Sequence, residues 1–400
     1  MSGGLLFLLL AVLTAAGYFL GRRRATAASG GDTTTLHSRT AYHGLAVALG
    51  ALLAGITAFV LLHLAARLLP PLGSPWVTSL GPLALAVAVF VGVYVRITSQ
   101  FRARNLVEAK ILGLLMVAST IAIFTTVAIV LSLLFETARF FGQYHWRDFF
   151  FGTVWSPAFQ GTSQLGMLPL LWGTLYVSFI ALAVAVPVGL FIAIYLTQYA
   201  SPRFRRAAKP LIENLSGIPT IVYGLFALMT VGPILRDWFA QPTGLGSSSA
   251  SVMTAGLVMG IMLIPYVSSL SDDIINAVPS AMRDGSLALG ATRSETIKRV
   301  IVPAALPGIV GAFLLASSRA IGETMIVVLG AGAAARLSLN PFEAMTTVTV
   351  KIVSQLTGDT DFSSPETLVA FALGITLFTL TLGMNILALY IVRRYREQYE

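Results

Sequence analysis

The chain has 400 residues, 56% of them hydrophobic and only 11% charged, with a mean hydropathy of +0.82. Soluble domains carry roughly 25% charged residues, so the composition excludes an ordinary soluble protein and points to an all-α, multi-pass membrane protein. The net charge of +9 is no nucleic-acid footprint, because cytoplasmic loops of membrane proteins are loaded with Lys and Arg. The lack of cysteine excludes disulfides, thiol catalysis and thiolate-bound metals, and four scattered histidines offer no metal-ligand spacing.

In chain order, the first apolar run is 5–20. It follows an uncharged MSGG and precedes Arg22, Arg23 and Arg24, the reverse of a cleavable signal peptide, so it predicts an uncleaved span with its N-terminus outside. A linker rich in Ala, Ser, Thr and Gly occupies 25–40. Runs of about 20 apolar residues, the length that crosses a hydrocarbon core of about 30 Å, then predict spans at 44–64, 79–95, 111–135, 171–196, 211–235, 251–270, 305–329 and 367–392. Nine spans starting outside leave the C-terminus in the cytoplasm. Of the 26 basic residues, nineteen then fall on cytoplasmic segments and six on external ones, with Arg319 alone inside a span. That split obeys the positive-inside rule at every loop. Two external segments exceed a turn: the aromatic-rich 136–170, and 331–365. Each reads either as interfacial belt or as a docking surface for an external partner.

Three stretches carry candidate chemistry. The cytoplasmic loop 271–303 alternates apolar and polar residues at helical spacing, with Gly285 and Gly290 available for a break between two short helices. It suits docking to a soluble partner or resting on lipid headgroups. In the eighth span, Arg319 lies 14 residues beyond Ala305, roughly 21 Å deep at 1.5 Å per residue. Four residues on, Glu323 would share its helix face, with Ser317, Ser318 and Thr324 supplying hydroxyls nearby. Intramembrane charges pair, or line a wet path, and the planar fork of Arg suits an oxyanion. The third stretch is ENLSGIPTIVYG, where Gly217 and Pro219, ahead of Thr220, would interrupt a helix and open backbone groups to a substrate cavity. No P-loop or catalytic triad is present, so the motifs support no ATP hydrolysis by this chain and require no cofactor.

Here the residues meet a resemblance. Gly290 followed thirteen residues later by Pro303, with Val300 and Val302 between, resembles the cytoplasmic signature loop of ABC importer permeases. That family places a Glu-Ala-Ala triplet before the glycine, where this chain has Asp284, Gly285 and Ser286. The stretches ENLSGIPTIVYGLF, LALGATRSETIKRVIVPAALPGIVGAFLLASSRAIGETM and LLWGTLYVSFIALAVAVPVGLFIAIYLTQYASP resemble the phosphate-specific ABC permeases, closer to the C-type than the A-type subunit. The resemblance spans about 111–394. It implies a six-helix type I permease core over 102–400 behind an N-terminal extension, 1–101, with three more spans that it does not explain. It further implies a bacterial plasma (inner) membrane location and four kinds of partner: a homologous A-type permease, two ATP-binding subunits, an external phosphate-binding protein and inorganic phosphate itself. By the same resemblance, Asp284, Gly285, Ser286, Gly290 and Pro303 contact the ATPase, while Arg319 and Glu323 match the charges associated with phosphate passage. The pathway set then comprises Arg319, Glu323, Thr324, Ser318, Gly217, Pro219 and Thr220. A permease for sulfate or molybdate, an ion-coupled secondary transporter and a membrane scaffold are the rival readings.

Overall fold

A computed structural model describes residues 3–68, 74–157, 163–358 and 363–396. Among them, nine helices are long and apolar enough to cross a membrane, as the hydropathy predicts. Contacts divide the chain into two units, Met1–Val127 and Ala128–Glu400.

The first unit holds α1 (Gly3–Ala28), α2 (Thr40–Leu68), α3 (Pro75–Val95) and the first part of α4 (Ala103–Gln143). Its helices approach closely through small residues, as membrane helices do where van der Waals packing replaces the hydrophobic effect. A Cβ at Gly21 would stand 3.0 Å from Gly44 Cα, and one at Gly44 would press on the Tyr18 carbonyl. Arg24 folds back over the Tyr94 ring at 4.7 Å. Ala103 and Val107 of α4 are buried against Ala46.

The second unit begins within α4. The aromatic segment folds into a cap: α5 (Trp146–Phe151) and a minimal hairpin, β1 (Trp155–Ser156) with β2 (Gln164–Leu165), bury Phe140, Phe149 and Leu165 against Leu170, Leu368 and Leu373. Its aromatic rings therefore pack largely on one another instead of all lying at a lipid interface. Next come α6 (Leu168–Ile194), α7 (Pro202–Leu215), α8 (Thr220–Phe226), α9 (Gly232–Leu235) and α10 (Val252–Asn276). They are followed by α11 (Ser280–Ala288), α12 (Arg293–Thr296), α13 (Val302–Ile321), α14 (Met325–Gly330), α15 (Val348–Gly358) and α16 (Pro365–Arg396). The most enclosed helix is α10, seated against α6 where Gly189, Gly256 and Gly260 leave no room for a Cβ beside Val267, Ile180 and Val184.

Among the described residues, four wide turns with i→i−5 bonds interrupt these helices, and three of them close one residue before a proline. Gly232 N donates to Ala227 O ahead of Pro233, Gln241 N to Arg236 O ahead of Pro242, and Val302 N to Ile297 O ahead of Pro303. A proline ring collides with the carbonyl four residues back and has no N–H to bond it; one widened turn relieves both. Thus α8 and α9 continue to Ala240 as one span, and α12 and α13 form one from Arg293 to Ile321.

Two predicted spans need correction. The sixth starts at Thr220, not 211, because the charged Pro202–Leu215 stretch forms a separate helix with no buried residue. The eighth stops at Ile321, where Gly322 caps the helix, and does not run on to 329.

Candidate functional site

The eighth helix breaks at Gly322–Thr324 and restarts as α14. Glu323 makes the break: its Oε1 accepts from Thr324 N and Met325 N, both at 3.1 Å, and so caps the new helix. A carboxylate there satisfies orphan donors and complements the positive helix end. Glu323 therefore leaves the helix and does not share a face with Arg319 as its spacing predicts. Among the described residues no ion pair joins the two. The Arg319 guanidinium lies instead over the Tyr266 ring of α10 at 5.4 Å, and its side chain is exposed on the face of this single chain.

The threonine run Thr346, Thr347 and Thr349, which the sequence places in an external loop, is buried, as is all of 345–350. It doubles back into the core: Met345 N donates to Ala331 O and Thr346 N to Ala334 O. On α6, Gly173 leaves its Cβ position to the Thr346 carbonyl, and Thr174 Oγ1 accepts from Val348 N at 3.0 Å. Thr349 Oγ1 then donates to Glu323 O at 2.8 Å. Embedded hydroxyls within MTTVTV were the available signal, but β-branched threonines also suit an exposed strand. Ser178 and Thr346 leave buried hydroxyls without a partner among the described residues.

The other predicted break forms over 216–219, where Tyr223 OH donates to Leu215 O at 2.9 Å across the gap. Pro219 caps α8 and Thr220 starts it, while Gly217 N bonds Asn214 O. The structure brings both restarted helices together, since a Cβ at Gly224 would stand 2.9 Å from Met325 O. Ile218 and Tyr266 pack on the same core cluster. Ser318 sits one residue before Arg319, and its carbonyl accepts from Gly322 N. Ser317 is turned away, donating to Phe313 O.

The loop 271–303 forms one separate short helix, α11, and not two, because α12 is the start of the long helix that continues to Ile321; the turn between α11 and α12 uses Gly290 and not Gly285. Gly285 lies within α11 with no neighbour near its Cβ position, whereas Gly290 takes φ +86°. Gly290 N bonds Leu287 O and Ala291 N bonds Ser286 O, a Schellman closure that favours glycine at the left-handed position. Thr292 and Glu295 then cap α12 reciprocally, and Ser286 Oγ meets Thr296 Oγ1 at 2.9 Å. Asp284 sits beside Arg283 at 3.3 Å. At the tip, the apolar Leu289 is 91% exposed.

One cluster has no counterpart in the sequence reading. Asp272 of α10, 2% exposed, accepts from Arg205 Nη2 on both oxygens (2.9 and 3.0 Å) and from Lys209 Nζ at 2.6 Å. The hydrogen bond from Lys209 to that carboxylate holds its ammonium above the usual lysine range.

Residues 185–397, more than half of the chain, match the family of binding-protein-dependent transport system inner membrane components, and the chain belongs to that family. Residues 7–82 match a second family, described as phosphate ATP-binding cassette transporter. The phosphate transport system permease protein PstC of Mesorhizobium japonicum is 34% identical over 257 residues, which cover 60% of this chain and 76% of that one. Phosphate transport system permease protein PstC 1 of Mycobacterium tuberculosis is 33% identical over 275 residues, covering 62% and 81%. In fold, the chain resembles a bacterial ABC transporter involved in the import of the acidic polysaccharide alginate, with TM-score 0.50 and 15% identity over 74% of this chain and 99% of that one.

Proposed function

We propose that this chain is the membrane-spanning C-type subunit of an ATP-driven importer of inorganic phosphate in a bacterial plasma (inner) membrane. The observation that carries the reading is Arg319. It is the one basic residue that hydropathy places inside a span. It stands exposed over Tyr266, with no carboxylate within ion-pair distance among the described residues. A guanidinium in that position is tolerated where it faces protein or a wet path, and its fork matches a phosphate oxyanion. Arg319, Ser318, Glu323 and Thr324, together with the Gly217, Pro219 and Thr220 break, then line this subunit's half of the path. A homologous A-type permease supplies the other half, covering the exposed face.

Two ATP-binding subunits hydrolyse ATP and engage the Asp284–Pro303 segment, with Leu289 as the apolar anchor. An external phosphate-binding protein delivers the substrate. The permease core comprises 102–400, and 1–101 is an added three-span extension. The basic-residue distribution supports an outside N-terminus and a cytoplasmic C-terminus. ATP binding drives alternation between inward-open and outward-open states to the extent that α11 is held differently in each.

The test is labelled phosphate uptake in a phosphate-starved host lacking its own importer, with and without this chain beside its partners. Excess sulfate and molybdate serve as competitors. Uptake that needs the chain and resists both competitors supports phosphate; suppression by either moves the substrate to that oxyanion. No uptake from an assembled complex rejects the transport role.

A further inference from the structure

The amphipathic helix α7 lies between two parts of the mechanism, and its attachment is unusual. It has no buried residue, so apolar packing does little to hold it to the unit. Ionic and polar links hold it to α10 instead. Arg205 and Lys209, one turn apart on α7, converge on the buried Asp272 carboxylate. One turn further along, Glu213 accepts from Ser269 Oγ at 3.3 Å. Lys209, Glu213, Ser269 and Asp272 line one narrow cleft between the two helices, of about 10 Å³. Without the Asp272 carboxylate Arg205 would lose the ion pair to α10, and Lys209 would keep only the more exposed Asp273 and Glu213 at 3.6 and 3.9 Å.

The chain on either side gives this joint its meaning. Asp272 lies four residues before the end of α10, and only Ala277, Val278 and Pro279 separate α10 from α11. That connector is tight, with Ala277 N bonded to Asp273 O and Val278 N to Ile275 O. At its other end α7 runs directly into the 216–219 break. A displacement of α11 therefore reaches Asp272 through a short bonded connector, and α7 passes it to the break.

We propose that Asp272 is a positioning residue that transmits motion of the α11 segment to the Gly217–Pro219 break by holding α7 through Arg205 and Lys209. The inference rests on the reading of α11 as the ATPase contact. It is distinct from an ion cluster that only stabilises the fold, because it ties the carboxylate to the ratio of transport to hydrolysis.

The test uses the complete complex in vesicles, comparing the parent chain with Asp272→Asn. Two quantities are read: phosphate moved per ATP hydrolysed, and the nucleotide response of a spin label at Ala207→Cys on α7, the sole thiol in this otherwise cysteine-free chain. With Asp272→Asn, the complex should assemble and hydrolyse ATP while the ratio falls about tenfold, within the usual range of coupling between sites, and the label response is lost. Asp272→Glu should restore both in part. A parent-like ratio and label response in Asp272→Asn overturn the proposal. So does a parallel fall of uptake and hydrolysis with the label response retained. If Asp272→Asn does not assemble, Lys209→Met keeps the carboxylate and Arg205 and is read by the same two outcomes. A parent complex without ATP-dependent phosphate uptake would instead overturn the importer reading.

Discussion

Thr349 Oγ1 donates a 2.8 Å hydrogen bond to the Glu323 carbonyl oxygen, and so joins a buried segment 26 residues downstream to the break in the eighth span. The two halves of the break are thus held separately: the Glu323 carboxylate caps α14, and its carbonyl is anchored by the re-entrant segment. Thr349→Val keeps the shape and removes the donor. The bond is only partly buried, so its loss costs about 0.5–1.5 kcal/mol; the purified chain should melt lower, and phosphate uptake should fall. An unchanged melting temperature would show that the carbonyl finds another partner.

Arg319→Gln should lower phosphate uptake on the order of 100-fold, equivalent to roughly 3 kcal/mol for a lost charge-assisted contact, while the partners still copurify. Because the guanidinium makes no ion pair with Glu323, its removal strands no carboxylate, and assembly should survive. Arg319→Lys should retain part of the uptake, since it keeps the charge but not the fork. Full uptake in Arg319→Gln would remove it from the path.

Gly290 and Gly285 should respond in opposite ways. Gly290→Asp places a side chain at φ +86°, a strain of roughly 1–2 kcal/mol. It should turn Leu289 away and prevent copurification of the ATP-binding subunits. Gly285→Ala, inside α11 with open space around its Cβ position, should raise helix stability by up to about 1 kcal/mol and leave copurification intact. Equal behaviour of the two variants would contradict the Schellman turn as the element that presents Leu289.

Gly173→Val should displace the re-entrant segment, because any Cβ there meets the Thr346 carbonyl, a backbone atom that cannot swing aside. Overpacking of this kind costs typically 1–3 kcal/mol. The expected result is a lowered melting temperature and protease cleavage near 345–350, both absent from the parent chain.

Orientation is measurable because the chain has no native thiol. Cysteine placed at Ser29 or Ala207 should react with a membrane-impermeant maleimide only in inside-out vesicles. Cysteine at Ser248 or Ser354 should react from the outside of intact cells. The opposite pattern would invert the topology.

Hydropathy and charge sufficed for the nine spans, their order and the excess of basic residues on alternate loops, since partition between lipid and water depends on each segment's own composition. The Gly217–Pro219 break and the turn at Gly290 were legible for a related reason: proline and glycine act on the backbone of their immediate neighbours. The ends of the sixth and eighth spans were misplaced where polar contacts overrode apolar length, as in the charged α7 and at Glu323. Spacing put Arg319 and Glu323 on one face, yet Glu323 turns away because the donors of α14 lie closer to it. The burial of Thr346, Thr347 and Thr349, the seat of Arg319 on Tyr266 and the convergence of Arg205 and Lys209 on Asp272 required the tertiary structure. Each joins residues distant along the chain, and such pairings are set by which helices pack together, a property that no local period or propensity contains.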